Sequence, residues 1–124
     1  MNANGIWYSS VGSKLVLEES GSTLTGTFQS TEAGGEIVSV YGSIDPDQAL
    51  SYRPLSFSAS WGQPTTPPGQ RSVTSYSGQY RSNDNGREVI EVIFLLVDDT
   101  RSNVLWKSTH ICTDMFTRAP SPIK

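Results

Sequence analysis

Apolar and polar positions along this chain alternate with a period of two. The clearest run is Leu55-Ser-Phe-Ser-Ala-Ser-Trp61, and Leu24-Thr-Gly-Thr-Phe28 repeats the pattern. Such alternation marks strands with one buried face, and no window carries an apolar stripe at helical spacing. Clusters of Gly, Pro, Asn and Asp interrupt the runs about every 10 to 15 residues, which predicts eight strands near 5–9, 13–18, 22–30, 36–44, 54–62, 70–81, 87–97 and 107–118. Asp84-Asn85-Gly86 predicts a tight hairpin, with Asn-Gly adopting the positive φ angles of such a turn. Gln63-Pro-Thr-Thr-Pro-Pro-Gly69 predicts a stiff, proline-limited connection. Eight sequential strands with short links escape exposed edges by closing on themselves, so the expected fold is all-β, an eight-stranded antiparallel up-and-down barrel. A barrel of that size encloses room for side chains plus one small ligand.

Parity then assigns the faces. If Trp7 and Ser9 face inward, the register of the barrel family that the chain resembles, set out below, puts Ser13, Leu15 and Leu17 inside, then Leu24, Gly26, Phe28 and Ser30. It runs on through Leu55, Phe57, Ala59 and Trp61, then Ser72, Thr74, Tyr76 and Gly78. Ile90, Val92, Phe94 and Leu96 follow, and last Cys112, Asp114 and Phe116. Thr23, Thr25, Thr27 and Gln29 face out. Gly26, Gly42 and Gly78 fall at inward positions beside bulky residues, a pattern read as making room for the Trp7 ring at the closed end. The seventh strand is apolar on its outer face as well, through Val89, Ile93 and Leu95, and Ile111 and Met115 extend that patch; this predicts a subunit interface.

Composition narrows the partners. At 124 residues the chain is expected to be one domain, with the barrel over about 5–118 and a mobile tail over 119–124. A formal charge of −3 supplies no cationic footprint for nucleic acid or anionic lipid, so neither nucleic acid nor membrane is an expected partner. One cysteine and one histidine leave no disulfide framework and no set of metal ligands, and no cofactor is expected. Residues 1–5 lack the apolar stretch of a signal peptide, which leaves both an intracellular location and secretion after removal of a leader open.

Polar groups directed into an apolar barrel are costly unless they bond to each other, to water or to a ligand. Ser9, Ser13, Ser30, Ser72, Thr74 and Asp114 form such a set. Hydroxyls donate or accept, whereas an ionised Asp only accepts, so together they suit a flat group with a carbonyl and N–H donors, as in a cyclic urea. Trp61, Tyr76, Phe94 and Trp106 would supply apolar walls.

Four segments, Gly5-Ile-Trp-Tyr-Ser-Ser-Val-Gly-Ser13, Leu24-Thr-Gly-Thr-Phe-Gln-Ser30, Ser72-Val-Thr-Ser-Tyr-Ser-Gly-Gln-Tyr80 and Asn103-Val-Leu-Trp-Lys-Ser-Thr-His-Ile-Cys-Thr-Asp-Met-Phe-Thr-Arg118, together resemble the avidin and streptavidin family of biotin-binding barrels. The resemblance implies biotin as ligand. It places Ser9, Ser13 and Phe28 at the ureido oxygen, Ser30 and Asp114 at the ureido N–H groups, Thr74 near the ring sulfur and Ser72 at the valeryl carboxylate. Val11, Gly34, Trp61, Tyr76, Phe94 and Leu96 complete the implied pocket, and residues 31–36 would fold over its mouth. Trp106 matches a tryptophan that reaches into a neighbouring subunit's pocket, which implies a homotetramer built as a dimer of dimers.

The departures from the family pattern all touch the pocket: Ser9 replaces Asn, Phe28 replaces Tyr, and Tyr76 and Phe94 each replace Trp. Phe28 brings no hydroxyl, and the smaller rings bring less area, so binding weaker than that of the tightest members is expected, or else an altered pocket that takes a different small ligand or has lost biotin binding. An enzyme is not expected. Residues four apart on a strand are about 13 Å from each other, too far for Asp114 to orient His110 in a Ser-His-Asp arrangement.

Overall fold

The structure is a computed structural model and describes residues 1–31, 35–62, 65–67, 71–99 and 109–119. Strands form where the alternation predicts them: β1 (Gly5–Tyr8), β2 (Lys14–Ser20), β3 (Thr23–Gln29), β4 (Ile37–Ile44), β5 (Tyr52–Trp61), β6 (Ser72–Ser82), β7 (Glu88–Asp98) and β8 (Thr109–Thr117). They pair antiparallel in sequence order and close as a barrel through Tyr8 opposite Thr117. The predicted tail, apart from Ala119, lies outside the described residues, as do residues 107 and 108 at the predicted start of the last strand.

Register carries the period-two pattern into a continuous core. Trp7 lies opposite Leu15, which lies opposite Phe28, which lies opposite Val38. Phe57, Ala59, Ile90, Val92 and Phe116 fill the interior from the other strands, each almost fully buried. Trp7 is completely buried, donates from Nε1 to the Ala3 carbonyl at 2.8 Å and meets Tyr80 edge-on.

The three inward glycines have a different purpose from the one parity suggested. A Cβ on Gly26 would lie 1.7 Å from the Val16 carbonyl oxygen, and one on Gly42 would lie 1.9 Å from that of Ser56. Neighbouring backbone, not the Trp7 ring, occupies the space, so these glycines let adjacent strands approach closely. The 83–87 hairpin also differs. Gly86 alone takes positive φ there, at 76°, while Asn85 does not. The Asn83 side chain holds the turn by accepting from the backbone N–H groups of Asn85 and Arg87 at 3.0 Å each. The result is a three-residue turn with a glycine bulge rather than a two-residue Asn-Gly turn.

Two face assignments change. Val89 was expected in the outer apolar patch but is 1% exposed, whereas Ile93, Leu95, Ile111 and Met115 are exposed as expected. Cys112 shares its face with Phe94, its register partner, yet is exposed, because it lies toward the open end of the barrel.

The closed end is sealed by charge. Arg53 is the innermost-facing residue at the start of β5 and is fully buried. Its guanidinium donates to both Glu19 carboxylate oxygens at 2.9 Å, to the Asp45 carbonyl and to the Met1 carbonyl. Burial works to raise the Glu19 carboxyl, but bonds from Arg53 and from the Ala3 N–H outweigh it and hold the group below the usual carboxylate range. Beside it, Arg118 lies over the Trp7 ring, pairs with Glu88 and donates to the Asn2 and Asn4 carbonyls. The Tyr80 hydroxyl meets the Glu88 carboxylate and the Asn2 carbonyl. Two arginines thus hold residues 1–4 against the barrel floor, and ligand access is left to the other end.

Candidate functional site

At the open end the barrel holds a cavity of about 570 Å³, within the usual range of about 300–1,000 Å³ for small-molecule sites. Its apolar wall is one cluster of rings contributed by β3, β5, β6 and β7. Phe28 meets Trp61 edge-on with centroids 5.5 Å apart, and Tyr76 lies 5.8 Å from Phe28 and 5.2 Å from Phe94. Behind this wall Phe57 stacks on Tyr76 at 4.6 Å. The indole N–H of Trp61 donates to the Thr74 hydroxyl at 3.1 Å, which fixes the ring against the cavity. Burial, and secondarily the Asp114 charge, raise the Tyr76 phenol well above its ordinary value, so this ring stays neutral.

The polar groups come from the rim. Asp114, on β8, accepts through Oδ1 from the Ser10 hydroxyl at 2.9 Å, from the Ser10 N–H at 3.3 Å and from the Met115 N–H at 2.7 Å. Oδ2 accepts no hydrogen bond among the described residues, and the carboxylate lines the cavity. Ser13 lines it from the end of the β1–β2 turn, its hydroxyl accepting from the Thr31 N–H at 3.3 Å. Ser30, Ser72 and Thr74 lie on the wall too, as do Val11 and Leu96. Five strands, β3 and β5 to β8, together with the connections that carry Val11, Ser13 and Ser30, bring together eleven of the fourteen residues that the sequence singled out: Val11, Ser13, Phe28, Ser30, Trp61, Ser72, Thr74, Tyr76, Phe94, Leu96 and Asp114.

Ser9 is the exception among the described residues. It is buried, and its hydroxyl accepts from the Ser13 N–H at 3.0 Å, while its backbone N–H donates to the Ser13 carbonyl at 2.9 Å. Its side chain closes the β1–β2 turn and does not form part of the cavity wall. Gly34 and Trp106 fall outside the described residues.

Glu36, at the end of the segment expected to fold over the mouth, lines the cavity, as do Gly62 and Thr66, which the sequence pattern did not single out. Glu36, partly buried just ahead of β4, accepts through Oε2 from the Gly62 N–H at 3.2 Å and so ties the β3–β4 connection to the end of β5. The resemblance placed this segment over the mouth, and the cross-strand contact shows which of its side chains reaches the wall. His110 is exposed and faces Asp98 across the β7–β8 ladder, Nε2 to Oδ2 at 3.4 Å. Among the described residues no group of three or more His, Cys, Asp or Glu side chains converges to hold a metal ion. The site is an acceptor-rich, hydroxyl-lined mouth above an aromatic wall, suited to holding a small molecule with N–H donors.

Comparison with known proteins agrees with this architecture. The Avidin family model matches residues 1–119. Among solved structures the fold is similar to that of xenavidin, with a TM-score of 0.78 and 23% identity over 95% of this chain and 97% of that one. No curated protein matches the sequence.

Proposed function

This chain belongs to the avidin family, and from that premise we propose that it is a non-catalytic protein that binds biotin in its open-ended cavity, more weakly than streptavidin does. The observation that carries the reading is the Asp114 carboxylate. It is held by Ser10 and Met115 through one oxygen and keeps the other for a ligand N–H, in a cavity walled by Trp61, Phe28, Tyr76 and Phe94. In this reading Ser30 and Asp114 accept from the ureido N–H groups, Ser13 donates to the ureido oxygen, Thr74 approaches the ring sulfur and Ser72 meets the tail. Val11, Gly34 and Leu96 border the mouth, and Trp106 reaches the pocket of a neighbouring subunit.

The ureido oxygen is the weak point. Phe28 offers no hydroxyl, and Ser9 is buried in the β1–β2 turn and does not line the cavity. The loss of a neutral hydrogen bond costs about 0.5–1.5 kcal/mol, so two missing donors together weaken binding by roughly one to two powers of ten. The same two positions support a second reading, in which the altered pocket prefers another small ligand that makes no demand there.

Assembly into a homotetramer, a dimer of dimers, fits the outer surface. Ser56, Ser58, Ser75 and Ser77 form an in-register block of small side chains that passes directly into exposed Ile93 and Leu95, with Ile111 beside Leu95. Small side chains next to apolar ones let a second sheet pack closely.

Calorimetric titration of the purified protein with biotin tests the function. Saturation at one biotin per chain is expected. Absence of heat together with absence of a thermal shift would remove biotin as the ligand.

A further inference from the structure

We propose that the mouth of this cavity selects an uncharged tail bearing an N–H group over a free carboxylate, so that biotin in amide linkage is preferred to biotin acid; this rests on the biotin reading above. The described wall carries two carboxylates, Asp114 and Glu36, and no lysine or arginine. They stand on different sides of the barrel, Asp114 on β8 and Glu36 ahead of β4, four strands away in the sheet order. A ligand with its N–H groups at Asp114 therefore extends its other end away from that carboxylate.

The position of Glu36 places it where that other end emerges. Ser72, the proposed tail contact, is the register partner of Trp61. The next residue, Gly62, donates its N–H to Glu36 Oε2. Ser72, Trp61, Gly62 and Glu36 thus form one continuous stretch of rim, and all four line the cavity. Arg71, on the adjoining connection, donates from Nε and a terminal nitrogen to the Thr66 carbonyl at 3.0 and 2.8 Å. It lines an adjoining outer groove that shares Trp61, Gly62 and Ser72 with the cavity and also carries Asp98 and Asp99, so among the described residues carboxylates outnumber cations along this rim. A carboxylate tail at this rim meets a like charge in a site partly shielded from water. An amide tail removes that charge and offers an N–H to an acceptor-only group.

The test is calorimetric titration with two probes, biotin and biotin N-methylamide, on the parent protein and on Glu36→Gln, at low and at physiological salt. Gln keeps an oxygen acceptor for the Gly62 N–H, so the rim contact survives. The parent protein should bind the amide about five- to tenfold more tightly than the acid at low salt, with the gap shrinking as salt screens the charge. In Glu36→Gln the ratio should fall toward one. Equal affinities in the parent, tighter binding of the acid, or a ratio and salt dependence unchanged by Glu36→Gln would each overturn the proposal while leaving biotin as the ligand. Failure of both probes to bind the parent would overturn the biotin reading and this inference with it.

Discussion

Replacing Arg53 with Met should destabilise the barrel more than any change in the cavity. The Arg53 side chain has no exposure, and its partner Glu19 has only 3%. Removing the guanidinium leaves a buried carboxylate without its cation and takes the donor from the Asp45 and Met1 carbonyls. Loss of one partner from a buried ion pair costs about 3–5 kcal/mol. At about 4 °C per kcal/mol for a chain of this size, the midpoint should drop by roughly 12–20 °C. Chemical denaturation followed by tryptophan fluorescence and a calorimetric melt measure the two quantities. The pH dependence supplies a second readout. Because Glu19 is held below its unfolded value, its contribution is present above that value and is lost as pH falls through the folded one. The parent protein should therefore lose stability on the acid side, and Arg53→Met should lose less over the same interval. Adding Glu19→Leu should recover part of the deficit, since the stranded charge is then gone. A single variant within 1 kcal/mol of the parent would refute the claim that the closed end is sealed by this pair.

Phe28→Tyr should tighten biotin binding by the worth of one hydrogen bond, about two- to thirteenfold by titration; unchanged affinity would show that Phe28 does not face the ureido oxygen. Gly42→Ala forces a Cβ to within 1.9 Å of the Ser56 carbonyl oxygen, so β4 and β5 must separate. A stability loss of several kcal/mol, about 3 or more, is expected in denaturant titration, and a neutral result would contradict the close approach. Ile111→Asp, on the exposed apolar row, should lower the assembly state in sedimentation measurements at micromolar concentration while the far-ultraviolet spectrum stays that of a barrel. A parent protein that is already monomeric would refute the interface. Glu88→Gln should narrow the acid-side loss as Arg53→Met does, because Glu88 is likewise held low by Tyr80 and Arg118 against the opposing effect of burial.

What the sequence alone determined was everything that follows from local alternation. A strand residue's face depends only on its parity, so Leu55, Phe57, Ala59 and Trp61 could be set inside, while the cavity wall from Ser13 to Asp114 was legible through the family resemblance. The remainder depended on which distant atoms each residue meets, and no period encodes that. Arg53 and Glu19 are 34 residues apart and find each other only once the barrel closes. Ser9 has the inward parity of a ligand donor, yet the tightness of its turn directs its hydroxyl to Ser13. The glycines at 26 and 42 reflect the approach of a neighbouring backbone, a property of strand packing rather than of side-chain pattern. Glu36 becomes part of the cavity through a bond to Gly62 across the rim. Alternation tells a side chain which way to point, and tertiary closure decides what it finds there.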